Sequence, residues 1–337
     1  MSESDVVYVL GDIHGRLDLL LKAEGLISIL KTRIPSNSPS VRLIGDYVDH
    51  GPDSKGVMDR IIGSQLAGLP MISMLGNHDI WLSRVVHKIR ANDPVHAWID
   101  ESTLATVRSY GVRVDSYPHM PEEEQAIMTR FARRVPQEHL DYIRDYMSPL
   151  SIDAGAIFVH AGLNPKVGLN RQDMDVCISG PDIRGGFPES GWDGGENGLP
   201  VIMGHLVQSV PLVSRNLKIA CIDTGAHESG ILTCGIISSG KISGFLSIVQ
   251  KGGLDFVPVV VDNPKIPHQF WKLVARWWQD VFRASKEPPV LVFADEKRKQ
   301  AFASMTKLEN YREASNPVSF TKKGGFRKMP PILVSGT

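Results

Sequence analysis

The chain has 337 residues, of which 42% are apolar and 22% charged, a composition typical of a soluble globular protein. Its 37 basic and 37 acidic residues balance, so net charge gives no reason to expect nucleic acid or an anionic membrane as a partner. The sequence has no apolar run of about 18 residues that predicts a transmembrane helix, and no secretory signal is visible at the N-terminus.

The three cysteines, Cys177, Cys221 and Cys234, are few, odd in number and not in a CxxC spacing. This usage favours a reducing compartment over a disulfide framework. We therefore predict a cytoplasmic protein whose cysteines are small buried residues.

The first half of the chain alternates strands and helices. Apolar runs predict strands at residues 6–10, 41–44 and 71–75, and helical spacing predicts helices at 17–30, at 54–66 and from the third strand through Arg90. This βαβαβ order predicts a parallel or mixed sheet covered by helices. Ligands of such sheets bind beyond the carboxyl ends of the strands.

The rest of the chain divides into three parts. Residues 97–148 are predicted to be mostly helical and to cap the sheet. Short apolar runs between Gly-rich turns then predict a second sheet packed on the first, with strands at 156–159, 201–203, 218–222, 231–237 and 245–249. The Gly, Pro and Asp content of residues 178–198 predicts a long loop, a feature that is often functional. We predict a main domain over residues 1–262 and an extension over 263–337, with an aromatic helix at 270–282.

Polar side chains follow each of the first three strands. They lie in the motifs Gly11-Asp12-Ile13-His14-Gly15, Gly45-Asp46-Tyr47-Val48-Asp49-His50-Gly51 and Gly76-Asn77-His78-Asp79. Asp12 and His14 alternate by two, which at a strand end points both side chains to one side. Two later histidines, His160 and His205, also follow apolar strands.

These positions together predict a metal site. The six candidate ligands are Asp12, His14, Asp46, Asn77, His160 and His205. They suffice for two divalent ions that share Asp46, and mixed oxygen and nitrogen ligands suit Mn, Fe, Zn or Ni rather than Ca. A lone Asp at a strand end is usually a helix N-cap, and a lone His before Gly is usually a turn residue. The joint occurrence of five blocks in order favours the metal site.

The same blocks resemble the phosphoprotein phosphatase branch of the binuclear metallophosphoesterases, including its bacterial and phage serine/threonine phosphatases. That family shows GDxHG, GDxVDRG, GNHE and two later histidines, and the resemblance covers roughly residues 5–250. It implies an α/β fold, a β-sandwich of two mixed sheets flanked by helices (the calcineurin-like phosphoesterase fold).

The resemblance also implies roles for individual residues. The first metal would be held by Asp12, His14 and Asp46, and the second by Asp46, Asn77, His160 and His205. His78 would be the general acid that protonates the leaving oxygen, and Asp49 would orient it and favour its protonated form. Without Asn77 beside it, His78 would be read as a residue of a helix N-terminal turn.

The implied reaction is hydrolysis of a phosphate monoester by in-line attack of a metal-bridging hydroxide, with two divalent ions, Mn²⁺ as the first expectation. Phosphoserine and phosphothreonine in proteins are the family's typical substrates. An enzymatic alternative is hydrolysis of a dinucleoside polyphosphate or of another small phosphoester or diester. A different class of alternative is a binding protein with a degenerate site, against which the intact six-ligand set argues.

Three positions depart from the family pattern or are hard to place. His50 stands where the family has a phosphate-binding Arg, and a His donates fewer hydrogen bonds and titrates near neutrality. We therefore expect weaker phosphate binding that falls as pH rises, unless another Arg fills the role and His50 faces solvent. The second phosphate-binding Arg is best matched by Arg184, less well by Arg171, and a solvated loop arginine is the alternative. Asp79 replaces the usual Glu, a mild change if the position supports the turn.

Overall fold

A computed structural model describes most of residues 5–261, namely 5–34, 36–63, 65–93, 99–180, 198–208, 211–213, 218–251 and 255–261, and four short strands beyond them. The predicted aromatic helix at 270–282 and most of the predicted extension lie outside the described residues. The predicted boundary at residue 262 therefore stays a prediction.

The described helices lie mostly in the first half of the chain. They are α1 (Leu17–Arg33), α2 (Ser54–Ile61), α3 (Asn77–Arg90), α4 (Glu101–Ser109), α5 (Pro121–Arg134), α6 (Gln137–Asp145), α7 (Met174–Ser179) and α8 (Ala226–Ser229), with a 3₁₀ turn at Leu169–Arg171. Helices α5 and α6 pack on α3, and α4 packs on α2, so the predicted helical cap over 97–148 is confirmed in its described part. The helix predicted at 54–66 is shorter, because it ends at Ile61 and the chain re-enters a strand at Gln65.

The strands form two main sheets. The strands are β1 (Val6–Leu10), β2 (Ser40–Leu43), β3 (Gln65–Leu66), β4 (Leu69–Ser73), β5 (Leu150–Asp153), β6 (Ala156–Val159), β7 (Val201–Met203), β8 (Leu212–Val213), β9 (Ile219–Cys221), β10 (Ile231–Ser238), β11 (Lys241–Lys251), β12 (Asp255–Val261), β13 (Val290–Val292), β14 (Arg312–Glu313), β15 (Val318–Phe320) and β16 (Phe326–Lys328). The first sheet has the order β14-β13-β12-β11-β10-β1-β2-β4-β3, the second β5-β6-β7-β9-β8, and β15 pairs with β16.

Two strands predicted for the second sheet belong to the first. Strand β10 pairs antiparallel with β1 from Val6↔Ser238 to Leu10↔Cys234, and β11 pairs antiparallel with β10. The prediction was wrong because an apolar run indicates a buried strand but not its neighbour. Strands β1, β2 and β4 are mutually parallel, as are β6, β7 and β9, so each sheet presents a set of aligned carboxyl ends.

The alternation of side chains along β1 shows the layers. Tyr8 and Leu10 pack into a cluster with the helices on one face, while Val9 packs on the other face against Phe158 and Ile202 of the second sheet. A third cluster covers the outer face of the second sheet and includes Cys177 of α7. The expected α/β sandwich of two mixed sheets flanked by helices is therefore present.

The described part of the chain includes all three cysteines and its helices can be compared with the membrane prediction. Cys177, Cys221 and Cys234 are buried and unpaired, as predicted. Within those residues, no helix combines the length and apolar character that crossing a membrane requires.

Candidate metal centre

The two sheets bring their strand ends together at one edge of the sandwich. Asp12 follows β1, Asp46 follows β2, and Asn77 opens α3 shortly after β4. His160 follows β6 and His205 follows β7 in the other sheet. Side chains far apart in the sequence therefore meet because parallel strands place their carboxyl ends at the same edge.

Asp46 lies at the centre of this group. Its Oδ2 is 3.6 Å from Nε2 of His14 and 3.3 Å from Nε2 of His160. His160 Nε2 also lies 3.1 Å from Oδ1 of Asn77. Burial alone would raise the pKa of the Asp46 carboxyl. The neighbouring His160 and His14 outweigh this effect and hold that pKa well below its usual range.

The candidate ligand atoms form two clusters that share Asp46. The clusters are Asp12, His14 and Asp46, and Asp46, His160 and His205, and the ligand atoms within each cluster lie within 4.8 Å of one another. The structure thus brings together all six residues that the sequence suggested as ligands.

The donor set fits divalent cations. Asp12 is 1% exposed, and its Oδ1 is buried without a hydrogen-bond partner, while Oδ2 accepts a bond from the backbone N–H of His205 at 2.9 Å. Burial, and then Asp223, raise the pKa of Asp12 well above its usual value. A cation would satisfy the orphaned oxygen and stabilise the ionised form.

Glycines make room for the ligands. A Cβ at Gly204, just before His205, would overlap Asp12 Oδ1, and a Cβ at Gly76, just before Asn77, would overlap Asp46 Oδ1. The glycines of the motifs are therefore needed for close approach of backbone to ligand.

Two of the histidines are oriented by backbone carbonyls. Nδ1–H of His14 donates to the carbonyl of Val48 at 2.7 Å, and Nδ1–H of His160 donates to that of Ile44 at 3.0 Å. Both bonds leave Nε2 directed at Asp46, as in metal-ligating imidazoles. Burial lowers the pKa of His160, but Asp46 and then Asp12 outweigh it and raise the pKa to about 10. A divalent ion would take the place of that proton.

His78 forms an ion pair beside the cluster. Its Nδ1 lies 2.7 Å from Oδ2 of Asp49, and Oδ1 of Asp49 accepts a bond from the Thr106 hydroxyl at 2.8 Å. Burial alone would lower the pKa of His78, but the hydrogen bond to Asp49 and the charge of Asp46 outweigh it and raise the pKa to about 9. The pair with Asp49 thus favours the protonated form of His78, the form that a general acid requires.

The Asp79 carboxylate links the backbone turns of two motifs. Its Oδ2 accepts bonds from the N–H groups of Asp46 (2.9 Å) and Gly76 (3.0 Å), and its Oδ1 accepts one from Tyr47 (2.9 Å). The prediction that this position supports the turn is confirmed.

Backbone strain concentrates at the same residues. Among the described part of the chain, nine non-glycine residues have positive φ, and five of them belong to the site. The five are His14, Asp46, Asp49, His50 and His205. Such conformations cost roughly 1–3 kcal/mol each and cluster at functional sites.

His50 lies in a group of four histidines at the mouth of the site. Its ring centroid is 4.8 Å from that of His14 and 5.3 Å from that of His78. It stacks on His227 with centroids 4.2 Å apart and planes at 24°. Burial and the charge of His78 lower the pKa of His50, so it lacks the permanent charge of an arginine.

His227 was not among the site residues predicted from the sequence. It lies on the short helix α8, and Nη1 of Arg16 donates to the carbonyl of the neighbouring Ala226 at 2.7 Å. Nδ1 of His227 is buried and has no hydrogen-bond partner. The available signal was its place directly after the Asp223-Thr224-Gly225-Ala226 segment, which follows a strand as the other site motifs do.

Asp223 was also missed. It follows β9, is 1% exposed, and accepts a bond from the N–H of Gly225 at 2.8 Å. Burial raises the pKa of Asp223 to about 6. Like the candidate ligands, it closes an apolar strand, which was the signal that could have identified it.

Two arginines were candidates for binding the phosphate. Arg184 lies outside the described residues. Arg171 is exposed and ends the 3₁₀ turn Leu169–Arg171. The placement of a second phosphate-binding arginine therefore stays a prediction.

Comparison with known proteins gives the family. The family model described as calcineurin-like phosphoesterase matches residues 6–180, just over half of the chain, so the chain belongs to that family of metallophosphoesterase hydrolases, which use divalent metals. A symmetrical bis(5′-nucleosyl)-tetraphosphatase from Ralstonia nicotianae is 36% identical over 83 residues. That match covers 25% of this chain and 26% of the relative, so the chain spans about a quarter of the relative's length.

Solved structures show more remote likenesses. A candidate diadenosine tetraphosphatase is 19% identical, with a TM-score of 0.48, over 73% of this chain and 95% of that one. A cold-active protein-tyrosine phosphatase from a psychrophilic Shewanella is 14% identical, with a TM-score of 0.44, over 72% and 77%. At these values the likenesses carry no information about the substrate.

Proposed function

We propose that this calcineurin-like phosphoesterase hydrolyses phosphate monoesters at a two-metal site. The observation that supports this most directly is the position of Asp46. Its Oδ2 lies between Nε2 of His14 and Nε2 of His160, at 3.6 and 3.3 Å, so one carboxylate serves two clusters of ligands. Oxygen and imidazole donors in this mixture suit Mn²⁺ first, with Fe, Zn or Ni as alternatives.

The proposal assigns the ligands in two sets. One ion would be held by Asp12, His14 and Asp46, and the other by Asp46, Asn77, His160 and His205. Two divalent ions in these places would polarise the phosphate oxygens and supply a water nucleophile at neutral pH.

The residues of the chain would provide the remaining steps. His78, held protonated by Asp49, would donate its Nε2 proton to the departing oxygen. His50 and His227 would donate N–H bonds to the phosphate in place of the usual arginine, with Arg184 as a further candidate. Asp79 would keep the ligand-bearing turns in place.

The test is metal-dependent hydrolysis of p-nitrophenyl phosphate. With added Mn²⁺ we expect turnover, and Asp46→Asn should lower kcat/KM by at least about 100-fold, because an amide cannot serve two cations as a carboxylate does. Asp115→Asn is a matched control, since that side chain is 76% exposed in a surface ion pair. Two metal equivalents per chain should be measured in the wild type and fewer in Asp46→Asn. Equal activity in the two Asp variants, or no turnover at all, would favour the alternative of a degenerate-site binding protein.

The finer substrate has two candidates. The family resemblance of the motifs favours phosphoserine and phosphothreonine in proteins. The partial match to a bis(5′-nucleosyl)-tetraphosphatase favours a dinucleoside polyphosphate. Comparing a phosphopeptide, a bis-phosphodiester and diadenosine tetraphosphate by kcat/KM ranks them.

A further inference from the structure

A cavity of about 350 Å³ opens beside His78, between helices α3, α4 and α5. His78, Asp49 and Asn77 form its inner end. Its walls are mainly apolar and include Trp81, Leu82, Val85, Val107, Met128 and Phe131. An apolar cavity of about 150 Å³ is enough for benzene, so this space has room for an aromatic ring and its substituents.

Helix α3 contributes residues both to the candidate metal centre and to the cavity lining. It begins at Asn77 and His78, and Trp81 follows three residues after His78, on the same helix face. Trp81 is 46% exposed, whereas Leu82 and Val85, which continue the wall, are nearly buried. The helix that carries the proposed general acid therefore also contributes a partly exposed tryptophan to the cavity lining.

Helix α4 forms the facing wall. Thr106 lines the cavity, and its hydroxyl is bonded to Asp49, the partner of His78. Asp100, the N-cap of this helix, also lines the cavity. The described lining contains two carboxylates, Asp49 and Asp100, and neither Lys nor Arg.

The position of the cavity defines which part of a substrate enters it. In an in-line displacement the leaving oxygen departs next to the general acid, so the group attached to that oxygen lies beside His78. The apolar walls favour an apolar group. Asp49 is ion-paired with His78, so the carboxylate that disfavours an anionic group is Asp100.

We propose that this cavity binds the leaving group of the substrate and selects an uncharged aromatic group over one that carries further phosphates. The proposal rests on the proposed phosphomonoesterase function and, within that class, favours an aromatic leaving group over the alkyl groups of phosphoserine and phosphothreonine. Trp81 acts as a specificity-determining residue that stacks on the ring. Diadenosine tetraphosphate is disfavoured because each possible leaving group carries phosphates.

The experiment compares variants of the full-length metal-loaded protein on three substrates, phenyl phosphate, methyl phosphate and diadenosine tetraphosphate. Each result is taken as the ratio of kcat/KM in the variant to that in the wild type, which cancels the different intrinsic reactivities of the substrates. Trp81→Ala should lower the ratio for phenyl phosphate about tenfold more than for methyl phosphate, since aromatic contacts and apolar burial are lost together. Trp81→Phe keeps a ring and should restore most of the preference.

Charge is tested separately. Trp81→Lys should lower the ratio for phenyl phosphate and raise that for diadenosine tetraphosphate, since it adds a cation to a cavity whose described lining has neither Lys nor Arg. Tyr146→Ala removes an aromatic side chain that is 69% exposed and lies outside the cavity lining, so it is the matched control and should change no preference.

A second measurement does not depend on turnover. Competitive inhibition by phenylphosphonate and methylphosphonate reports binding alone, and Trp81→Ala should weaken the first about tenfold more than the second. Equal changes for both inhibitors and for all three substrates, in folded Trp81 variants, would overturn the assignment of the cavity. Failure of the proposed function looks different, because the wild type would then hydrolyse neither phenyl phosphate nor methyl phosphate with Mn²⁺.

Discussion

The ion pair of His78 and Asp49 predicts how activity depends on pH. Replacing Asp49 with Asn keeps a side chain of the same shape beside His78 Nδ1 but removes the charge that lies 2.7 Å away. A histidine has an unperturbed pKa of about 6.5, and in this structure the pKa of His78 is raised to about 9. Without Asp49, burial lowers the pKa of His78 and the remaining carboxylates raise it. We therefore expect this pKa to return to about 6.5 or lower.

The direction of the pH effect on activity follows from the proposed role of His78 as a general acid. A general acid works in its protonated form, so activity is lost as pH rises through its pKa. At pH 8 the protonated fraction is roughly nine-tenths for a pKa of about 9 and roughly three-hundredths for a pKa of about 6.5, a loss of about 30-fold. At pH 6 the same fractions differ by less than twofold. Bound cations would lower the pKa in both proteins, so the shift between them is the quantity to compare.

The assay is kcat/KM for a monoester with a poor leaving group between pH 6 and 9.5, for the wild type, Asp49→Asn and Thr106→Val. The last variant removes the hydroxyl that donates to Asp49 but keeps the carboxylate, so its alkaline limb should stay near that of the wild type. The reasoning is refuted if the alkaline limb of Asp49→Asn does not move to lower pH. A uniform loss at every pH would mean that Asp49 only fixes the geometry of the ring.

Four further substitutions test other parts of the site. His50→Arg should lower KM for a phosphate monoester by about tenfold, because a guanidinium donates a charged bidentate pair; an unchanged KM would mean that His50 does not face the phosphate. His227→Ala should raise KM about three- to tenfold with kcat nearly constant, since it removes the ring that stacks on His50. Asp79→Asn should destabilise the protein by about 1–3 kcal/mol in thermal or urea unfolding, because an amide presents N–H groups to backbone donors; a stability equal to wild type would contradict the turn-supporting role. Gly204→Ala should lower bound metal, measured by elemental analysis, whereas Gly25→Ala, where an added Cβ meets nothing within 4 Å, should not.

The parts of the fold that sequence patterns predicted are those set by local signals. Strand β1 was predicted with its observed bounds, and β2 and β4 within two residues at each end, because uninterrupted apolar runs mark fully buried strands. Strand β10 was placed in the wrong sheet because its pairing with β1 joins residues more than 200 positions apart. No local pattern carries that information, although the apolar run of β10 was correctly interpreted as a strand.

The residues of the site also divide into those that local sequence signals predict and those that depend on long-range packing. Asp12, His14, Asp46 and Asn77 could be predicted to meet because parallel strands align their ends. His227 was not predicted, because it lies on a four-residue helix and its only sequence signal was the preceding segment that follows a strand. Arg16 donates to the carbonyl of Ala226 in this helix. The partner of a side chain on such a connection is set by tertiary packing alone.

The two unusual features of the site lie on different sides of the proposed reaction and have related consequences. Where the family pattern has a permanently charged arginine, this chain has imidazoles, His50 stacked on His227. Beside the proposed acid it has a cavity lined by Trp81 and by carboxylates, with no Lys or Arg among the described lining residues. A polyanionic substrate would lose attraction at the first and meet the negative charge of Asp100 at the second. A monoester with an uncharged ring would rely on the metal ligands for its phosphate and on apolar burial for its leaving group, so discrimination among substrates would depend mainly on the leaving group.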